Sequence, residues 1–313
     1  MFPGPRPDDP AKGASDLESS PMTLPRQRFP DLARLQGIAL MVLAGIAFAA
    51  MAALVKCSRR LPVVELVFLR SVFALAALAA LLVRHRRWPR ASNRTLLLVR
   101  TICGLVAVGT YFYAIAHLDL AIASLLNQTS PVFVVSLAWF VPGERPAKST
   151  TLLVLLAMFG CALLLSPGWT VPGFDAVAGL VGLSSGILSA LAYTSVRLLR
   201  KTDRAIDIVF YFTTSALLVT APFTALEFVR PSPLEWGSMA GAGLAAAVGQ
   251  LFMTKAYQVE RAAVVSPFIY TCVLVSALFG LLFWGETPTP LAALGGLLIV
   301  GSGVGIAVQR GGE

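Results

Sequence analysis

Ten stretches of this chain run for about 20 residues almost free of charge, the length of helix that crosses about 30 Å of hydrocarbon. They lie near 36–55, 62–83, 96–116, 120–141, 150–166, 177–196, 206–228, 237–257, 262–283 and 289–308. Of the 313 residues, 57% are hydrophobic and 13% charged. A soluble domain carries about 25% charged residues. No water-bounded core hides this much apolar sequence, so the solvent for most of the chain is expected to be lipid. Several connections are only a few residues long, which makes neighbouring spans antiparallel hairpins.

The net charge of +9 does not describe a nucleic-acid surface, because Lys and Arg sit in short segments between the apolar runs. One side collects Arg84, Arg86, Arg87, Arg90 and Arg94, the 145–148 and 197–204 segments, Lys255, Arg261 and Arg310. The other side has Lys56, Arg59, Arg60 and Arg230, so the loops divide 14 to 4. The positive-inside rule then places both termini in the cytoplasm of a multi-pass protein of the cell membrane, a bacterial inner membrane. Residues 1–33, rich in Pro, Gly and charge, read as a disordered cytoplasmic tail rather than a signal peptide.

A repeat organises the spans. Slid by 142 residues, "VELVFLRSVFALAALAALL" (64–82) overlies "IDIVFYFTTSALLVTAPFT" (206–224), pairing Glu65 with Asp207. At an offset of 141, "AGIAFAAMAALVK" (44–56) overlies "SGILSALAYTSVR" (185–197). Gly143-Glu144 likewise overlies Gly285-Glu286. Five spans per copy is an odd number, so the second copy enters the membrane upside down, the architecture of secondary transporters. The expected fold is an all-α membrane protein of ten transmembrane helices in two inverted five-helix repeats, 34–166 and 167–313. "GERPAKST" (143–150) is no phosphate loop: it lacks the second Gly before Lys148, no strand precedes it, and its repeat mate lacks the Lys. Gly143 and Gly285 read instead as helix C-caps, with Pro146 and Pro288 beyond them.

"ASLLNQTSPVFVVSLAWFVPGERP" and "AAVVSPFIYTCVLVSALFGLLFWGETP" resemble the paired signatures of EamA-type transporters in the drug/metabolite transporter superfamily, and "ELVFLRSVFAL" resembles a second-helix segment of the same family. The resemblance covers roughly 35–308 and departs from the family at Pro142. It implies a central substrate cavity, peripheral helices 5 and 10, and carriage of small metabolites, often outward across the inner membrane.

Polar groups at membrane depth are costly and mark candidate sites. Asn127-Gln128-Thr129-Ser130-Pro131 lies halfway along span 4, where Pro131 leaves the carbonyl of Asn127 without its helical partner. The equivalent half-helix carries Ser266-Pro267, then Tyr270 and Thr271. Pro131 and Pro267 are therefore expected helix breaks, and Asn127, Gln128 and Tyr270 candidate substrate contacts, with interhelical hydrogen bonding as the alternative. Arg70 either pairs with an acid on another helix or meets substrate. Arg100 shares a face with Gly104, Ala107 and Tyr111 and either snorkels to the surface or lines a cavity. Lys255 carries the same ambiguity. Tyr193 and Gln250 are candidate cavity donors, and Glu65 and Asp207 gate or cap elements at opposite ends of their spans. Gly301 and Gly305 form a GxxxG that permits close contact, a homodimer through helices 5 and 10 included.

These features predict a secondary transporter exporting a small metabolite by alternating access, carboxylate- or phosphate-bearing and amino-acid-like if an arginine faces the cavity. Uptake of a nucleoside-, vitamin- or S-adenosylmethionine-like solute is the alternative, and a non-transporting scaffold the third reading. No HExxH, GxSxG or acidic cluster suggests an enzyme, and no cofactor or metal site is expected: the four cysteines are scattered and the two histidines far apart.

Overall fold

The computed structural model describes residues 30–86, 88–137, 148–165, 175–260, 265–287 and 289–310, and no strand occurs among them. The first repeat forms α1 (Pro30–Cys57), α2 (Val63–Arg84), α3 (Arg94–His117), α4 (Leu120–Asn127), α5 (Ser130–Leu137) and α6 (Lys148–Leu165). The second forms α7 (Ala176–Leu199), α8 (Ala205–Leu226), α9 (Pro233–Val259), a 3-10 turn (Ser266–Tyr270), α10 (Thr271–Phe279), a π turn (Gly280–Trp284) and α11 (Pro290–Arg310). Helix α1 begins at Pro30, inside the stretch read as tail, while residues 1–29 lie outside the described residues. Among those described, α2, α3, α7, α8 and the Leu35–Cys57 part of α1 are long and apolar enough to cross a membrane.

Local chemistry sets the boundaries. Asn93 caps α3 by accepting from the Leu96 N–H at 3.1 Å, and Asp175 caps α7 through Ala178 N–H at 2.9 Å. Helix α9 opens on a reciprocal capping box between Ser232 and Glu235, with Pro233 in the first turn, where its missing N–H costs nothing. Gly285 is the left-handed C-cap the sequence called for, at φ +67°. The Glu286 N–H closes the turn on the Gly280 carbonyl at 3.1 Å. Gly143, Pro146 and Pro288 lie outside the described residues.

The packing repeats as the sequence does. Helix α1 packs on α9 and its repeat mate α7 packs on α3; α2 faces its own mate α8, and α6 faces its mate α11. At one end the α1–α2 turn meets the α8–α9 connection: Arg60 pairs with Glu235 at 2.9 Å, and Val229 N–H donates to Glu65 Oε2 at 3.0 Å. At the other end the α2–α3 connection meets the α7–α8 connection through Ser92 and Asn93 N–H on the Asp203 carboxylate, at 2.7 and 3.3 Å. Repeat-equivalent connections therefore sit at opposite ends of the bundle, so the two copies run antiparallel. Apolar side chains such as Leu155, Phe159, Leu218, Phe223, Leu282 and Leu297 cover the outside, as lipid-facing surfaces require. Of the GxxxG pair, a Cβ on Gly305 would meet Leu153 of α6 in the same chain, and one on Gly301 would meet nothing within 4 Å among the described residues.

At Pro131 and Pro267 the chain departs from regular α-helix. Helix α4 stops at Asn127, Gln128–Thr129 form a turn, and α5 restarts at Ser130 with Pro131 in its first turn. In the second repeat the 3-10 turn holding Pro267 stops at Tyr270 and α10 starts at Thr271, which is the same place in the repeat. One glycine on each copy makes room for the other's break. A Cβ on Gly186 of α7 would overlap Thr129 Oγ1 and lie 2.7 Å from the Leu126 carbonyl; a Cβ on its mate Gly45 of α1 would lie 3.0 Å from the Cys272 backbone nitrogen. Because those neighbours of Gly186 include backbone, Gly186→Ala is expected to destabilise the protein by about 1–3 kcal/mol, the usual cost of overpacking. Thermal melting in detergent measures it, and an unchanged melting temperature would mean that the break gives way freely.

Candidate functional site

A cavity of about 40 Å³ lies in the middle of the bundle, between the broken helices. Its walls carry several repeat-mate pairs: Phe48 with Ser189, Met51 with Ala192, Arg70 with Phe212, and Val108 with Gln250. A hollow lined by both members of each pair sits where the approximate two-fold relation maps it onto itself. Six of the seven candidate contacts border it: Arg70, Arg100, Asn127, Gln128, Tyr193 and Gln250. Tyr270 is buried but not on the cavity wall. Lys255 is exposed and also lies away from it.

The two arginines correct the blander sequence readings. Arg100 does not snorkel; it is 1% exposed, folded back along α3 with its guanidinium 4.2 Å over the Phe212 ring. It fits because residue 104 is glycine, as a Cβ there would overlap Arg100 Nη1 and lie 2.9 Å from Phe212 Cε2. Its Nη2 donates to Gln250 Oε1 at 2.9 Å. Arg70, 2% exposed, has its guanidinium 5.8 Å from the Phe112 ring centroid rather than in an ion pair. Among the described residues the ion pairs are Lys56–Glu286, Arg60–Glu235 and Arg204–Asp207, so neither cavity arginine meets a carboxylate. Arg70 Nε and Nη2 and Arg100 Nε are buried without a hydrogen-bond partner among the described residues.

The neutral polar groups are better satisfied. Asn127 Nδ2 donates to Ser185 Oγ at 3.0 Å and approaches Ser189 Oγ at 3.4 Å, tying the helix break to α7. Tyr111 OH, Ser124 Oγ and Ser276 Oγ form a chain with 3.0 Å links across α3, α4 and α10. Gln128 Oε1 is buried without a partner among the described residues. Tyr193 packs against Tyr257, ring centroids 5.7 Å apart.

Glu65 and Asp207, the repeat mates at opposite ends, are held differently: Glu65 bridges two elements, whereas Asp207 pairs within its own connection. Glu65 accepts from Val229 N–H, and Asp207 takes Arg204 in two bonds of 2.7 and 3.1 Å. Sequence reasoning missed a stronger tie. Lys56 Nζ pairs with Glu286 and donates to the Leu118 carbonyl at 3.2 Å, while Glu286 Oε2 accepts from Leu120 N–H at 2.8 Å. This joins the end of α1, the α3–α4 turn and the π turn. The recurring Gly-Glu was the available signal: the Gly285 turn aims the following carboxylate back across the bundle.

A helical bundle with an apolar exterior and a polar hollow on its internal two-fold relation defines a multi-pass membrane transporter. Residues 35–166 and 177–308 each match the EamA-like transporter family, and the chain belongs to it. It is 37% identical over 268 residues to the pseudopaline exporter CntI of Pseudomonas aeruginosa, spanning 84% of this chain and 93% of that one. It is 24% identical over 259 residues to a riboflavin transporter of Brucella anthropi, 80% of this chain and 90% of that one. A solved crystal structure shares the fold with a TM-score of 0.63 at 18% identity, covering 90% of this chain and 98% of that chain.

Proposed function

We propose that this protein is a secondary carrier of ten spans, with both termini cytoplasmic, that exports a small anionic metabolite bearing carboxylate or phosphate by alternating access. The observation that carries the reading is the pair of buried arginines on the cavity wall without a carboxylate partner among the described residues. Placing an uncompensated cation in a low-dielectric interior costs several kcal/mol, and an anion entering the cavity repays that cost. Both cations come from the first repeat, since their mates are Phe212 and Ala242. The fold is thus antiparallel and two-fold while the charge in the cavity is one-sided. Aromatic rings behind each guanidinium leave its edges to face a ligand.

A cavity of about 40 Å³ holds a few waters, whereas small-molecule pockets run to roughly 300–1,000 Å³. The conformation described is therefore closed, and the walls must part to admit a metabolite. Antiparallel copies supply that motion by exchanging packings between the two ends. Export is supported by the likeness to a protein named as an exporter over most of both chains.

Counterflow in proteoliposomes tests the reading. Vesicles preloaded with a mixture of di- and tricarboxylates and phosphate monoesters are expected to drive saturable uptake of a labelled anion. Vesicles loaded with uncharged nucleosides should not. Flux confined to uncharged solutes would end the anion assignment.

A further inference from the structure

A second basic surface lies away from the cavity. It lies at the end of the bundle where Ser92 and Asn93 meet Asp203. There the α2–α3 and α7–α8 connections form a polar hollow of about 540 Å³, bordered by Arg86, Arg90, Ser92, Thr202, Arg204 and Asp207. Beside it runs an apolar groove of about 410 Å³, made by Ala79, Leu82, Val83, Pro89 and Phe210. Arg86 and Trp88 border both.

We propose that this composite site binds one anionic glycerophospholipid, its phosphate in the hollow and an acyl chain in the groove. Charge supports it. Asp203 is occupied by the two backbone N–H groups and the Thr202 hydroxyl, and Asp207 by Arg204. Arg86 and Arg90 have no ion pair among the described residues. The hollow thus presents two free guanidinium groups, and guanidinium matches phosphate oxygens in a planar fork. Continuity supports it as well. A soluble anion would use only the hollow, but the groove opens from the same two side chains onto the lipid-facing flank of α2. Trp88 is 85% exposed, a large apolar ring with a polar N–H, which is the side chain that settles at the headgroup level of a bilayer. Basic pockets beside membrane helices select anionic headgroups by this means.

Native mass spectrometry of the purified full chain, equilibrated with phosphatidylglycerol or phosphatidylcholine at equal concentration, tests the site. Phosphatidylglycerol adducts are expected to persist and phosphatidylcholine adducts to wash off. The Arg86→Gln/Arg90→Gln variant, which keeps the length and polarity of both exposed positions, should lose phosphatidylglycerol by roughly 30-fold from two arginine contacts. In bilayers, brominated phosphatidylglycerol should quench the Trp88 share of the emission, obtained by difference from Trp88→Phe, more than brominated phosphatidylcholine does. Equal retention of both lipids, or an undiminished phosphatidylglycerol adduct on the double variant, overturns the proposal. Displacement of the lipid by glycerophosphoglycerol at equal concentration also overturns it, because the acyl groove would then contribute nothing.

Discussion

Arg70→Met is expected to raise the melting temperature of the empty protein while abolishing its stabilisation by carboxylate or phosphate ligands. The two effects have one cause. Arg70 is 2% exposed, two of its guanidinium nitrogens lack partners among the described residues, and the compensating contact found among those residues is the Phe112 ring at 5.8 Å. A cation–π contact at that distance is worth about 1 kcal/mol, whereas an unpaired buried ion costs several. Methionine fills much of the same volume without the charge, so the empty protein gains on the order of 1–3 kcal/mol. A bound anion loses its partner, which costs about 2–5 kcal/mol, roughly thirtyfold to a few thousandfold in affinity. Arg100→Met should lose ligand equally and gain less stability, because Arg100 also donates to Gln250 and lies closer over its ring, at 4.2 Å. Differential scanning fluorimetry with and without a tricarboxylate reads both effects. A structural arginine predicts the reverse, a drop in melting temperature with the ligand response intact.

Glu286→Gln is expected to unfasten one end of the bundle. Lys56 is 4% exposed at its side chain, and Glu286 supplies its charge partner. Removing one member of a buried pair typically costs 3–5 kcal/mol, since the other charge stays buried. Here the remaining Lys56 keeps the Leu118 carbonyl, the Trp284 ring at 5.5 Å and the electrostatic attraction of the nearby Asp119 carboxylate, which places the loss at the lower end of that range. The Leu120 N–H donates to Glu286 as well, so α1, the α3–α4 turn and the π turn loosen together. Two measurements follow. The melting temperature should fall, and Cys272 on the cavity wall, as the sole remaining cysteine, should react faster with a membrane-impermeant maleimide added from the Lys56 end. The exchanged pair Lys56→Glu/Glu286→Lys should recover part of both. If labelling from that end stays as slow as in the parent, the pair does not hold that end shut.

Much of the candidate site was legible in one dimension because the repeat is. Offsets of 141 and 142 residues state which positions are equivalent, and positions near a two-fold axis meet their own mates. The breaks were legible too, since proline removes a backbone donor wherever it falls. Charge pairing was not. An acid on another helix was one expected partner of Arg70, yet its guanidinium lies by an aromatic ring, and Glu65 on its own helix turns to the Val229 backbone. Tyr270 holds the repeat position of Gln128, but the 3-10 turn replaces the helical phase there and carries the ring off the cavity wall. Lys56 and Glu286 stand 230 residues apart, with no local pattern linking them.

Hydropathy and internal duplication are properties of a single strand of text, and they suffice for membrane class and the antiparallel relation of the halves. Which guanidinium is left without a counter-ion is a property of helix faces in contact, settled by where small residues such as Gly104 and Gly186 let neighbours approach. Interhelical electrostatics depends on distances of a few ångströms between residues far apart in the chain, and only packing sets those distances.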